Sequence, residues 1–422
     1  MIRKIEALNY RCLQYVATPV GSFQVLVGSN GSGKSTFLDV VRFISDLLRD
    51  GLKAVELRSP SFNDLVWMRT EGKIQLAVEM EIPAERLAKL RRNGVTRVRY
   101  EVAIGFDEKG ELAILGETLW LKPEDNPVLR GNLELPFPAL PQPPEYLVHP
   151  EGKKTPAGWK KVVSKTPGTG NDYFFAENTD WRNQFRLGPQ RLALANLPED
   201  EERFPVAVWA KQSLMEGVQH LVLNSERMRQ PSPPGSPRTF QPDGSSLPWA
   251  VGQLRGPGEK PTEAFARWIA HARTALADLD TVETWERPED RHRCLRVVYR
   301  NGLQAPAWSV SDGTLRLLAL TLLAYLPASG RTYLVEEPEN GIHPQAVETV
   351  FQSLSAARGS QILCATHSPV LLSLAEPAQV LCFARTEDGV TDIRRGDQHP
   401  GLKDWKRDVD LGTLFASGVL GV

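Results

Sequence analysis

Cysteine is too scarce and too scattered in this 422-residue chain to build a site. Cys12, Cys294, Cys364 and Cys382 form no CxxC pair, which argues against a zinc ribbon or a disulfide framework and leaves reduced core thiols. An excess of charge of either sign is also missing. Lys and Arg number 50 against 51 Asp and Glu, for a formal net charge of −1, so nucleic acid has to be held by a local patch, not by the field of the whole molecule. No run of about eighteen apolar residues occurs, and Met1-Ile-Arg-Lys leads straight into charged, strand-like sequence. A soluble cytoplasmic protein without membrane contact is expected. There is no fixed-period repeat and no sustained heptad, which excludes a long coiled coil.

What is present is concentrated at the start. Residues 28 to 36 read Gly-Ser-Asn-Gly-Ser-Gly-Lys-Ser-Thr, a complete GxxxxGK[ST] phosphate loop between the apolar run Phe23-Gln-Val-Leu-Val27 and a helical pattern. Gly28, Gly31 and Gly33 allow the backbone to curl until successive N–H groups point inward, and the helix offers its positive end to the same anion. Asn30, Gly31, Ser32, Gly33, Lys34, Ser35 and Thr36 are therefore expected to hold a nucleoside triphosphate. Lys34 reaches its β- and γ-phosphates and the Ser35 hydroxyl ligates Mg²⁺.

Along the chain, residues 1–121 read as the first half of an α/β nucleotide-binding lobe, with antiparallel strands over Ile74–Met80, Arg97–Ile104 and Glu111–Leu121 and a helix over Pro83–Arg92. Residues 122–260 form an inserted middle region, Pro- and Gly-rich between about Lys122 and Lys161 and again near Gln230. Residues 261–422 supply the second half, beginning with a helix from Pro261 to Leu279 and a strand at Cys294–Tyr299. There Thr332-Tyr-Leu-Val-Glu-Glu337 is an apolar strand ending in two acids. That position suits Glu336 as a metal carboxylate and Glu337 as the group that orients and deprotonates an attacking water.

Around this strand stand Ser311-Asp-Gly-Thr-Leu-Arg316, Pro338-Glu-Asn-Gly-Ile-His343 and Ala365-Thr-His-Ser-Pro369. With the phosphate loop, their order resembles that of ABC-type ATPases. The spellings SDGTLR, EEPENGIHP and ATHSP resemble the SMC/RecF/OLD branch, and more narrowly the AAA-labelled ATPases of bacterial defence loci. The resemblance implies an α/β ABC-type head, a mixed sheet with a phosphate-loop helix, an inserted middle region and a helical signature subdomain. It implies hydrolysis of ATP with Mg²⁺, with His367 as a switch histidine on the γ-phosphate. It further implies that Ser311, Asp312, Gly313 and Thr314 meet nucleotide held by a second copy, so that ATP glues a homodimer, or a higher oligomer. Asn340 and His343 lie where protomers of such a dimer are coupled, and Arg11 resembles a basic residue placed against nucleotide. Ser311 also reads as an ordinary helix N-cap, and Arg11 as a surface charge.

Three roles follow. One is an ATPase acting with DNA or with a separate, nuclease-like effector in genome maintenance or anti-phage defence; another is a nucleotide-binding scaffold with little turnover. The third, a transporter energy subunit, fits less well because about 280 residues separate Lys34 from Ser311. Arg86, Lys89, Arg91, Arg92, Arg97 and Arg99 form a basic run that reads either as a nucleic-acid patch or as a solvated helix face. After Pro369, Asp388, Asp392, Asp397 and Asp404 are too scattered for an acidic nuclease centre, which is why that chemistry is expected of a partner.

Overall fold

The computed structural model describes residues 1–124, 136–150, 153–166, 170–327, 330–402 and 409–420. The strands in chain order are β1 (Ile2–Tyr10), β2 (Leu13–Pro19), β3 (Phe23–Gly28), β4 (Ile74–Glu81), β5 (Arg97–Phe106), β6 (Leu112–Lys122), β7 (Lys160–Thr166), β8 (Asn171–Phe175), β9 (Arg182–Phe185) and β10 (Val218–Leu221). They continue with β11 (Leu279–Glu286), β12 (Arg293–Tyr299), β13 (Gln304–Pro306), β14 (Thr332–Glu336), β15 (Gln361–Ala365), β16 (Val380–Arg385) and β17 (Thr391–Arg395).

The central sheet runs β10-β14-β15-β3-β16-β17. Its first five strands are parallel, and β17 returns antiparallel to β16. Such strands are buried on both faces, which is why Phe23–Gly28 and Gln361–Ala365 are buried throughout and read as nearly unbroken apolar runs. One side chain of β3 shows the two faces: Leu26 joins the core around the phosphate-loop helix, whereas Phe23, Val25 and Val27 join the core on the opposite side.

The helix Lys34–Asp50 buries Phe37, Leu38, Val40, Val41, Phe43, Ile44, Leu47 and Leu48. It lies between the central sheet and an antiparallel sheet of order β2-β1-β4-β5-β6-β7-β8-β9. The two sheets are stitched by Gln361 of β15, which accepts from the Ile2 N–H at 2.9 Å and donates to the Ile2 and Gly21 carbonyls at 2.8 and 2.6 Å. On the far side of the central sheet pack the helices Leu247–Arg255, Glu263–Ala272, Asp312–Leu322 and Pro344–Ser355, together with the small sheet β11-β12-β13.

The expected strands of both ends are present, but two expected helices are shorter: the one expected from Pro261 to Leu279 covers Glu263–Ala272, and Leu279 already opens β11. The helix expected over Pro83–Arg92 covers only Ala84–Leu87: beyond it Asn178 donates to the Lys89 carbonyl at 2.9 Å and accepts the Arg91 N–H at 2.8 Å, and the chain turns at Gly94, whose φ is a left-handed 80°. Residues 122–260 contribute to both large sheets, β7–β9 to the antiparallel one and β10 to the edge of the central one. Among the described residues no helix is long and apolar enough to cross a membrane. Asp404 and Asp408 lie outside the described residues; the last described helix spans Leu411–Ala416.

Candidate functional site

In parallel α/β sheets, ligands gather beyond the carboxyl ends of the strands. Here three neighbouring strands end together, since Glu336 of β14 pairs with Ala365 of β15 and Ala365 with Leu26 of β3. The phosphate loop, the paired acids and the Thr366-His367 turn thus open at one edge.

The loop is seated on the β16–β17 hairpin. A Cβ on Gly28 would stand 2.3 Å from the Phe383 carbonyl oxygen, and one on Gly33 would stand 2.8 Å from Thr391 Oγ1. Both glycines have left-handed φ values, 152° and 107°. Thr391 Oγ1 donates to the Ser32 carbonyl at 3.0 Å, holding the loop from below. Lys34 Nζ donates to the carbonyls of Gly28 and Ser29 at 2.8 and 2.9 Å. Burial lowers its pKa to about 8, against the pull of Glu337 and Glu336. The helix behind it has no side-chain cap and no acid in its first turn, so its N–H groups remain for an external anion. Asn30 and Gly31 are exposed, Thr36 is half-buried, and Cys12 Sγ lies 3.5 Å from Thr36 Oγ1.

Ser35 Oγ donates to Glu336 Oε2. The other carboxylate oxygen accepts from His220 Nε2 at 3.0 Å, and His220 Nδ1 faces Arg42 Nη1 at 3.2 Å. A guanidinium only donates, so Nδ1 is the acceptor and Nε2 carries the proton given to Glu336. The His220 bond is the main reason the Glu336 carboxyl is held below its ordinary pKa, with Ser35 adding to it and burial opposing. Ser35, Glu336, His220, Arg42, Arg11 and Asp39 line one cavity of about 310 Å³. The hard oxygens of Ser35 and Glu336 fit a magnesium ion.

Arg11 is therefore at this cavity, where its guanidinium lies 3.4 Å from Asp39. Asp39 also takes the Tyr10 hydroxyl at 2.5 Å and Arg58 at 2.9 Å. Burial pushes the Asp39 carboxyl up, but Arg58 and Tyr10 bring it below the usual range.

Glu337 is exposed and has a left-handed φ of 47°, a conformation that costs a non-glycine residue free energy and clusters at functional positions. Its N–H donates to the Ala365 carbonyl at 2.8 Å, and Asn340 Nδ2 donates to its Oε2. Glu339 shapes the neighbouring turn: its Oε1 accepts from Thr366 Oγ1 at 2.6 Å and from the His367 N–H at 3.3 Å. Burial, then the Lys34 charge, lowers the His367 pKa.

Ser311 caps the helix Asp312–Leu322, accepting from the Thr314 N–H at 3.2 Å. A Cβ on Gly313 would meet the Gly341 carbonyl oxygen at 2.5 Å, so this glycine lets the signature helix rest on the turn after the acids. Asp312 is ion-paired to Arg229. Ser311 and Asp312 are exposed. His343 is exposed and caps the helix Pro344–Ser355 through Nδ1, which accepts from the Gln345 N–H at 3.3 Å.

The basic run does not form one patch. Arg99 is only 6% exposed and ion-paired to Glu6, Glu79 and Glu101. Arg86 and Lys89 both bind Glu201, at 2.8 and 2.9 Å, and Arg97 is paired with Glu124 and Glu81. Arg91 and Arg92 are exposed. The physical reason is strand alternation: β5 turns Arg99 onto a face covered by the chain around His149, whose N–H donates to Glu101 at 2.9 Å.

A family model described as "AAA domain, putative AbiEii toxin, Type IV TA system" matches residues 23–373, from the phosphate-loop strand to just past the histidine turn. The chain belongs to this AAA family. Among solved structures, an SMC head bound to the C-terminal winged-helix domain of ScpA is similar over 93% of this chain and 96% of its own, with 14% identity and a TM-score of 0.51. The Thermotoga maritima SMC head (12% identity, TM-score 0.45, 93% and 98% covered) is also similar. So is an SMC head with an extended coiled coil bound to the C-terminal domain of ScpA from Pyrococcus furiosus (12%, 0.49, 93% and 95%). The fold assignment rests on the first of these: an SMC-head, ABC-type ATPase fold. No curated protein matches the chain in sequence. Within this AAA-family head, sequence reasoning missed His220, Arg42, Asp39, Arg58 and Glu339. Glu339 was visible in EEPENGIHP, but His220 lies on a short edge strand with no motif around it.

Proposed function

We propose that the chain hydrolyses ATP as a nucleotide-bridged homodimer. The observation that carries the reading is the convergence of Lys34, Ser35, Glu336, Glu337 and His367 at one sheet edge. Lys34 exchanges the Gly28 and Ser29 carbonyls for phosphate oxygens, whose charge favours its protonated form. Glu337 takes a proton from the water that bonds to the γ-phosphorus as the bond to the bridging β–γ oxygen breaks. His367, its neutral form favoured by burial and by Lys34, hydrogen-bonds the γ-phosphate. Ser35 and Glu336 hold magnesium, which when bound neutralises phosphate charge. Ser311 to Thr314 close on the nucleotide of the second copy, with Asn340 and His343 at the seam and Arg11 beside the metal cavity.

The finer role, action with DNA or with a separate nuclease-like effector in genome maintenance or defence, is supported by the resemblance of the SDGTLR, EEPENGIHP and ATHSP segments; co-purification from the native locus tests it. The residue boundaries 1–121, 122–260 and 261–422 are proposed as the halves of the head and its insert, with β10 of the insert completing the central sheet.

The deciding experiment is Glu337→Gln. Phosphate release is expected to fall by a factor of about 10² or more, with ATP affinity unchanged. Unchanged turnover refutes the assignment, and a wild type that binds ATP without releasing phosphate favours the scaffold.

A further inference from the structure

A cavity of about 380 Å³ lies on the outer face of the antiparallel sheet and shares no lining residue with the phosphate loop. Its floor is made of small and hydroxyl-bearing residues, Ala103, Gly116, Thr118 and Ser164. One wall is a strap of irregular chain fastened to the sheet by buried polar groups. Gln75, 1% exposed, accepts the N–H groups of Leu147 and Val148 at 3.0 and 2.9 Å. A Cβ on Gly116 would stand 3.3 Å from Val148, so this glycine permits the close approach. The opposite wall is aromatic: Tyr173 and Phe175, two apart on β8, stack with ring centroids 6.3 Å apart and planes 21° apart. Both are half-buried, whereas their neighbours Asp172 and Phe174 turn into the core.

The charge around the cavity is of one sign. Lys73, Lys161 and Arg182 line it, with His149 beside them. Glu117 and Lys165 also border it, but their charges turn to the other face of the sheet. Glu117 there accepts the N–H groups of Ala193 and Leu194, and Lys165 pairs with Asp172 at 2.7 Å. Cations beside a stacked aromatic wall select a ligand with a π-face and an anionic group.

We infer that this cavity is a second site, for a nucleotide unit whose base stacks on the Tyr173–Phe175 wall and whose phosphate meets Lys73, Lys161 and Arg182. A volume of 380 Å³ lies in the range of small-ligand pockets, about 300–1,000 Å³. The unit comes either from a single strand of nucleic acid or from a free nucleotide. The inference does not depend on ATP hydrolysis at the phosphate loop.

The test uses the full chain with Lys34→Ala, which removes the lysine of the phosphate loop so that no blocking nucleotide has to be added, and two probes: fluorescent oligothymidylate of about 12 nucleotides and thymidine monophosphate. The variants are Tyr173→Ala with Phe175→Ala, and Arg182→Glu at an exposed edge-strand position that leaves the core untouched. Binding of the oligonucleotide, weakened about tenfold or more by loss of the aromatic wall and made less salt-dependent by Arg182→Glu, assigns the site to a strand. Binding of the monophosphate alone, weakened by either variant, assigns it to a free nucleotide. If neither probe binds, or neither variant weakens binding while the melting temperature stays unchanged, the inference is overturned.

Discussion

Single residues carry the chemistry through the environments their neighbours make. Lys34 is held at about 8 by burial, below its unfolded value. The unfolded chain therefore binds more protons between about pH 8 and the ordinary lysine range, and stability rises with pH across that window. Triphosphate restores the charge, so ATP binding near pH 8 and above takes up a proton, and affinity falls as pH rises past 8. Calorimetry in buffers of different ionisation enthalpy measures that uptake; zero uptake contradicts it. His220 acts one step further out, fixing one oxygen of Glu336 while Arg42 fixes its tautomer. Its replacement by Ala is expected to raise the magnesium concentration needed for half-maximal turnover by roughly 10-fold or more, with metal-free ATP binding unchanged. An unchanged magnesium requirement removes His220 from that role.

At the scale of elements, the antiparallel sheet is held by charges buried on its outer face. Arg99 on β5 joins Glu6 on β1, Glu79 on β4 and Glu101 on its own strand, and Lys122 on β6 meets Glu79 at 3.0 Å. Removing one partner from such a network leaves uncompensated buried charge. Arg99→Ala is therefore expected to cost about 3–5 kcal/mol in denaturant unfolding; a loss below about 1 kcal/mol would show that water already relieves those carboxylates. The same network explains why the basic run was misleading as sequence. Lys and Arg at close spacing announce their charge, but two of the acids that neutralise Arg99, Glu79 and Glu6, come from positions 20 and 93 residues away.

For the whole molecule, the exposed start of the helix Asp312–Leu322 is the surface proposed to complete a second copy's site. Ser311→Arg puts bulk and charge there. ATP-dependent dimerisation of the Glu337→Gln protein, followed by light scattering, is expected to disappear in the Ser311→Arg, Glu337→Gln double variant, while the monomer still binds ATP. Dimers of the double variant at the same ATP concentration refute the face-to-face arrangement.

How much of this was legible in advance follows from the range of the interactions concerned. Phosphate loop, acid-tipped strand and histidine turn are runs of adjacent residues whose backbone demands, such as left-handed glycines beside β16 and β17, are local enough to be written in order along the chain. The family and the ATPase head could be read from them. Which distant groups stand beside them was decided only by packing. Pairing of β10 with β14 delivers His220 to Glu336, 116 residues away. The pleat of β5 hides Arg99, and a strap fastened by Gln75 makes a cavity of a sheet face. Each of these depends on strand order and on the side to which a side chain turns, and a linear pattern carries neither.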